Sequence, residues 1–149
     1  DLVRSRGLGD VYKRQVNPQT KQVTEEVTVD DGKIFVIGDM CVAISVGGQI
    51  LPSLVNEELL KTLPSILVDM GAIPHICNGA DIMRPGIREV RGDFEKGMVV
   101  VVRDIKFGKP IAVSIAEASS EALSTMSKGR AAQNVHYVGD RFWEGMKKS

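Results

Sequence analysis

Net charge is the first thing this chain lacks: 19 Lys and Arg are matched by 19 Asp and Glu over 149 residues. No overall field draws such a protein onto nucleic acid or an anionic membrane, so any site for a polyanion has to be a local patch. The C-terminal part is slightly basic, with 12 cationic against 10 acidic side chains from Leu67 onward. Cysteine is scarce as well. Cys41 and Cys77 lie far apart in apolar surroundings, the pattern of buried thiols in a reducing compartment, with a disulfide as the alternative. Beside them His75 and His136 are the only other soft ligands, and without C-x-x-C or H-x-x-x-H spacing they argue against zinc. No apolar run approaches the ~18 residues of a membrane span, and the opening residues show no basic-then-apolar pattern of secretory type. The expectation is a cytoplasmic protein with no membrane partner. Catalytic signatures are also missing: there is no G-x-x-x-x-G-K-S/T phosphate loop, no G-x-S-x-G elbow and no acidic metal cluster. This reads as a binding protein, not an enzyme, with no cofactor implied. The length suits one domain, or one domain with a smaller appendage.

What is present is a succession of short apolar runs punctuated by glycine. Residues 1–15, DLVRSRGLGDVYKRQ, have neither helical nor strand period. They resemble translated linker sequence of the kind found at the ends of environmental gene fragments, and are set aside from fold reasoning. The native N-terminus is then expected to be missing. Next come β-type stretches at 22–29, 33–37 and 40–46, with turns at Asp30-Asp31-Gly32 and Gly38-Asp39. Gly47-Gly48 is a two-residue hairpin signal leading into 49–51 before Pro52. Asn56 is placed to cap a short helix with Glu57 and Glu58 in its first turn, Leu59, Leu60 and Leu63 on its apolar face, and Pro64 as its stop. Residues 16–66 form one small subdomain in this reading, and 67–149 a second, larger unit.

The second unit opens with Ile66-Leu67-Val68 and a turn at 69–71. Residues 72–77 read as extended, and 78–83 as a helical turn capped by Asn78 and ended by Pro85. Strands follow at 86–90, 98–102, 111–116 and 132–138. Four consecutive valines, Val99 to Val102, require cover on both faces of their strand, as in a barrel or sandwich interior. Ser119 or Ser120 caps a helix containing Leu123 and Met126, and Gly129 stands where a left-handed C-terminal residue belongs. Tyr137, Phe142 and Trp143 read as closing the core, with stacking on bases as the alternative. The fold class is α+β, mostly β, with many short strands in a small mixed barrel.

Two stretches carry a family resemblance: Asn78-Gly79-Ala80-Asp81-Ile82-Met83-Arg84-Pro85-Gly86, and the later Lys128-Gly129-Arg130 running to Gly139-Asp140. Together they resemble the PUA domain, an RNA-binding pseudobarrel. The strand pair, Gly47-Gly48 and the helix ahead of it narrow the likeness to archaeal relatives of the malignant T-cell amplified sequence and ligatin family. There a pre-PUA domain, here truncated, precedes PUA at the C-terminus.

The resemblance implies non-catalytic RNA binding in translation, with tRNA or ribosomal RNA as partner and the small ribosomal subunit or a translation factor as further candidates. Carried onto this chain, the RNA contacts fall on Gly79, Ala80, Arg84, Pro85, Gly86, Lys128, Gly129 and Arg130. Glycine lets phosphates and base edges approach backbone amides, and the cations supply phosphate contacts. Each residue also has an ordinary use: turn geometry for the glycines, a solvated arginine for Arg84, and an offset to a helix C-terminal dipole for Lys128 and Arg130. Asp81 reads as holding the loop by local hydrogen bonds. Two alternatives stand beside this reading. One is a fragment of an RNA-modifying enzyme of the pseudouridine synthase or tRNA-guanine transglycosylase type. The other is a protein-interaction module using the face of residues 16–66.

Overall fold

The computed structural model describes residues 12–17, 22–29, 32–38 and 40–147. Two sheets organise them. The first is an antiparallel meander, β1 (Tyr12–Asn17), β2 (Gln22–Val29), β3 (Gly32–Ile37), β4 (Met40–Val46) and β5 (Gln49–Pro52), in sequential order. β1 takes in part of the segment set aside above and pairs with β2 along its whole length, because the outer edge of β2 offers unpaired backbone groups to an extended neighbour. Residues 1–11, together with Asp30, Asp31 and Asp39 of the expected turns, lie outside the described residues. Gly47 and Gly48 have φ of 57° and 83°, the positive pair that a two-residue hairpin needs, and Val46 pairs directly with Gln49 across them. α1 (Glu57–Leu60) follows, its Leu59 amide bonded to Asn56 Oδ1 at 3.3 Å. It is one turn long, so Leu60 is buried while Leu59, expected on the apolar face, stays exposed.

The second sheet contains β6 (Ser65–Val68), β7 (Ile82–Met83), β8 (Ile87–Arg91), β9 (Val99–Asp104), β10 (Pro110–Ala116) and β11 (Arg130–Tyr137), in the order β7-β11-β10-β9-β6-β8. All pairs are antiparallel except β6 with β9. The two edges of that order, β7 and β8, are consecutive in the chain and joined by a single 3₁₀ turn, Arg84–Gly86. So short a link forces the sheet to curl until its edges meet, which makes a pseudobarrel with its seam at Arg84. α2 (Ile73–Ile76) and α3 (Ser120–Thr125) lie outside the strand order, and α3 is capped by Ser119 Oγ accepting from the Ala122 amide at 3.0 Å.

The valine run explains how the two sheets meet. Val100 and Val102 belong to a core with Ile66, Val68, Ile82 and Leu123 inside the curl. Val101, with Val113, joins the core formed by Val27, Ile34, Val36, Ile44 and Leu51 of the first sheet. Alternation with period two thus sends successive valines into two separate cores. A final helix, α4 (Arg141–Lys147), seals the second of these with Phe142, which is fully buried. A Cβ at Gly32 would come within 2.5 Å of the Phe142 ring, so glycine there is required for α4 to dock on β3.

His136 ties the sheets together in polar terms. The Leu54 amide donates to its Nε2 at 3.2 Å, which leaves Nδ1 to donate to Asp140 Oδ2 at 2.8 Å. Asp140 in turn accepts from the Tyr137 and Trp143 amides at 2.9 and 2.7 Å, starting α4. No helix among the described residues is long and apolar enough to cross a membrane.

Three local expectations are corrected. Residues 72–77 are not extended: Met70–Ala72 is a 3₁₀ turn and Ile73–Ile76 is α2. Pro74 falls in the first turn, where its missing N–H leaves no bond unmade, and burial of Ile76 overrides the extended bias of the residue before proline. Residues 78–83 are correspondingly a loop and β7 instead of a helical turn. Pro85 stops no helix but sits inside the seam turn.

Candidate nucleic-acid interface

The glycine stretch begins where α2 ends. The amides of Asn78 and Ala80 both donate to the His75 carbonyl, at 3.1 and 3.0 Å, and that of Gly79 to Ile76 at 3.0 Å, winding the chain into a tight reversal. Gly79 has φ of 96°, and a Cβ there would stand 3.3 Å from the Tyr137 hydroxyl. The positive φ demands glycine, and the tyrosine contact leaves little room beside it. Gly86 differs. Its φ is not positive, and an added Cβ would only approach Ala72 Cβ at 3.3 Å, so its role is close packing at the seam.

Asn134 on β11 anchors the reversal, its amide nitrogen donating to the carbonyls of Ile76 and Ala80 at 3.0 and 2.9 Å. Its own backbone amide donates to Asp81 Oδ1 at 2.9 Å. Asp81 therefore holds the loop as expected, but through partners about fifty positions away and not through near neighbours. Sequence reasoning missed Asn134, which stands beside Gln133 in a strand that also carries Arg130 and His136, so no local signal singled it out.

β7 and β11 bring the two predicted segments side by side. Arg130 pairs with Met83 in the ladder, and the Arg84 amide donates to the Gly129 carbonyl at 2.8 Å. The cations at this seam have unequal freedom. Arg130 donates to Asp81 Oδ2 at 3.1 Å and to Glu117 Oε1 at 2.6 Å. Asp81 foremost, with Glu117, raises its guanidinium pKa above the ordinary arginine range. Arg84 Nε donates to the Leu123 carbonyl at 2.8 Å and Nη1 to the Ile87 carbonyl at 3.3 Å. Leu123 lies in the last turn of α3, so Arg84 supplies the cation at that helix end, the role the sequence assigned to Lys128 and Arg130. Lys128 is exposed and has no ion-pair partner among the described residues. Gly129 has φ of 102° but lies beyond the end of α3, so it serves entry into β11 instead of capping the helix.

Beside the glycine reversal opens a cavity of about 390 Å³, lined by Val68, Ala72, His75, Ala80, Asp81 and Met83 among others. The volume lies in the range of small-molecule and base-sized pockets. Apolar walls with few polar groups suit the flat face of an aromatic ring. Among the described residues no group of three His, Cys, Asp or Glu is placed to hold a metal. Both cysteines are free thiols.

Residues 64–138 match the family model described as the PUA domain. An uncharacterized protein of Methanocaldococcus jannaschii is 36% identical over 132 residues, covering 87% of this chain and 80% of that protein. Translation machinery-associated protein 20 of Schizosaccharomyces pombe is 29% identical over 147 residues, covering 87% and 81%. A crystal structure of a PUA domain from Aeropyrum pernix, solved as a tartrate complex, superposes with a TM-score of 0.80 over 95% of each chain at 24% identity. With the curled sheet, the glycine reversal and the family match all falling on the same residues, the chain belongs to the PUA-domain family, among relatives that include translation machinery-associated protein 20.

Proposed function

We propose that this protein binds RNA without catalysing a reaction and acts in translation, on tRNA or on RNA of the small ribosomal subunit. The observation that carries the reading is the β7–β11 pair, which sets the segment from Gly79 to Arg84 alongside Lys128-Gly129-Arg130, with an apolar cavity lined by Ala80, Asp81 and Met83. Backbone close to solvent, a cation without an acidic partner and an apolar slot for a ring are the elements that single-stranded or helix-end RNA recognition uses. The relatives named for the translation machinery support the cellular setting. Gly79, Ala80, Pro85, Gly86 and Gly129 supply the surface and Lys128 a charge unpaired among the described residues, with Arg130 contributing a guanidinium shared with Asp81 and Glu117. Arg84 positions that surface from behind through its bonds to Leu123 and Ile87.

The test is fluorescence anisotropy with labelled tRNA and with a short single strand across a salt series. Lys128→Glu is expected to weaken binding and to flatten the plot of log affinity against log salt by about 0.7, one single-strand phosphate. Unfolding should be unchanged within about 0.5 kcal/mol, as for most surface substitutions. Absence of RNA binding by the native protein at low salt would overturn the proposal. Recovery of a nuclease-insensitive protein complex in its place would favour the protein-interaction alternative.

A further inference from the structure

The hairpin between β9 and β10, Ile105-Lys106-Phe107-Gly108-Lys109, presents an aromatic ring to solvent in a fixed frame. Phe107 is 73% exposed, more than any other large hydrophobic residue described. The turn beneath it is strongly organised. Asp104, only 3% exposed, accepts from the Phe107 amide with Oδ1 and from the Lys109 amide with Oδ2 at 3.1 Å, while its carbonyl accepts from the Gly108 amide at 3.0 Å. Arg103 donates to the Gly108 carbonyl at 2.9 Å and to Glu57 at 3.3 Å, and Gly108 has φ of 70°. The acid of the turn is thus buried and consumed by amides. What faces outward is the ring, with Lys106 Nζ 5.2 Å from its centre, and Lys109. Neither lysine has an ion-pair partner among the described residues.

We infer that this hairpin is a second RNA contact, in which a base of a single strand stacks on Phe107 while Lys106 and Lys109 take the adjoining phosphates. Three features select RNA as the occupant. The exposed charge on the hairpin itself is positive, a ring flanked in sequence by Lys106 and Lys109 matches a base between two phosphates, and prior order of the turn spares the cost of fixing it on binding. Its place in the barrel fits one continuous strand. The Ile105 amide donates to the Val68 carbonyl at 3.0 Å, and Val68 also lines the cavity beside the Gly79 reversal. The inference rests on the RNA-binding reading above and extends it from the seam across the end of the barrel.

Single-stranded oligoribonucleotides of about a dozen nucleotides, long enough to reach both places, provide the test. Phe107→Ala and Phe107→Leu are expected to lower affinity about tenfold without altering the salt slope, the signature of lost stacking. Replacing Lys106 and Lys109 together by Gln should reduce the slope by about 1.4, two single-strand phosphates. Phe107→Trp should retain affinity, and its emission, corrected for the native Trp143, should be quenched at saturating RNA. Urea midpoints of all these variants should equal that of the native protein, since the side chains exchanged are exposed. Native protein that binds RNA, with Phe107→Ala within twofold of it or with Phe107→Trp emission unchanged by RNA, would overturn this contact alone. Native protein that binds no RNA would overturn the parent reading and this inference with it.

Discussion

Replacing Arg84 by Ala separates a structural arginine from an RNA ligand. Arg84 stands at the one point where the edges of the curled sheet are joined by three residues, and its side chain makes two bonds to backbone carbonyls of different elements, Leu123 of α3 and Ile87 of β8. A hydrogen bond to a charged group contributes about 1.5–3 kcal/mol. The contact at 2.8 Å earns a value near the lower end because the side chain is half-buried, and the one at 3.3 Å adds a fraction of that. The loss expected for Arg84→Ala is about 2 kcal/mol. Arg84→Lys should lose about half as much, because one ammonium on a flexible stem does not reproduce the two-pronged geometry. With a urea dependence of about 2 kcal/mol per molar, the midpoint for Arg84→Ala should fall by about 1 M with unchanged slope. Trp143, half-buried against the core shared by the two sheets, is a suitable fluorescence probe. A shift equivalent to less than about 0.5 kcal/mol, together with a salt slope for RNA binding reduced by about 0.7, would refute the assignment and make Arg84 a phosphate ligand. Charge reversal at Arg84 or Arg130 would disturb the fold as well as any RNA contact. A Glu at 84 would put an acid against the acceptors at the end of α3, and a Glu at 130 would put a third carboxylate beside Asp81 and Glu117.

Two further predictions follow from the geometry. Gly79→Val is expected to destabilise by more than about 1 kcal/mol, because a β-branched residue at φ of 96° is strained and its Cβ meets Tyr137, whereas Gly86→Ala should cost less than that; equal tolerance in thermal unfolding would remove the backbone argument. Burial pushes the Cys41 thiol from 9.0 up to about 11, against weaker opposing hydrogen bonds from Ser53 and Ala43, so Cys41 should react with a thiol-specific disulfide reagent at pH 8 far more slowly than the less buried Cys77. Because the folded state holds the neutral thiol, its contribution is fully present below about pH 9 and is lost as pH rises toward about 11; a pH-stability profile there that is identical in Cys41→Val would contradict this.

Local chemistry was legible wherever a residue's own backbone preference or its nearest neighbours decide the outcome. Gly47-Gly48 announced a hairpin because positive φ at both positions costs glycine nothing, and the register of β4 with β5 follows from that turn alone. Asn56 and the Ser119-Ser120 pair announced helix starts because a side-chain oxygen reaches an amide three residues on, and the structure gives the cap to Ser119. Val99 to Val102 announced a strand covered on both faces, since alternation leaves no solvent side for four valines. Local information failed where long-range burial outweighed it. Ile73 adopts φ of −61° and ψ of −45° directly before Pro74, against the bias of that position, because α2 buries Ile76 under the barrel. The acceptors of Arg84 include Leu123, thirty-nine positions away, and the two carboxylates that engage Arg130 come from different parts of the chain. Sequence could bring the residues of the seam onto one short roll, but which of its cations hold the barrel and which face solvent was settled by the curl of the sheet, because only the closed fold brings those carbonyls and carboxylates within hydrogen-bonding distance.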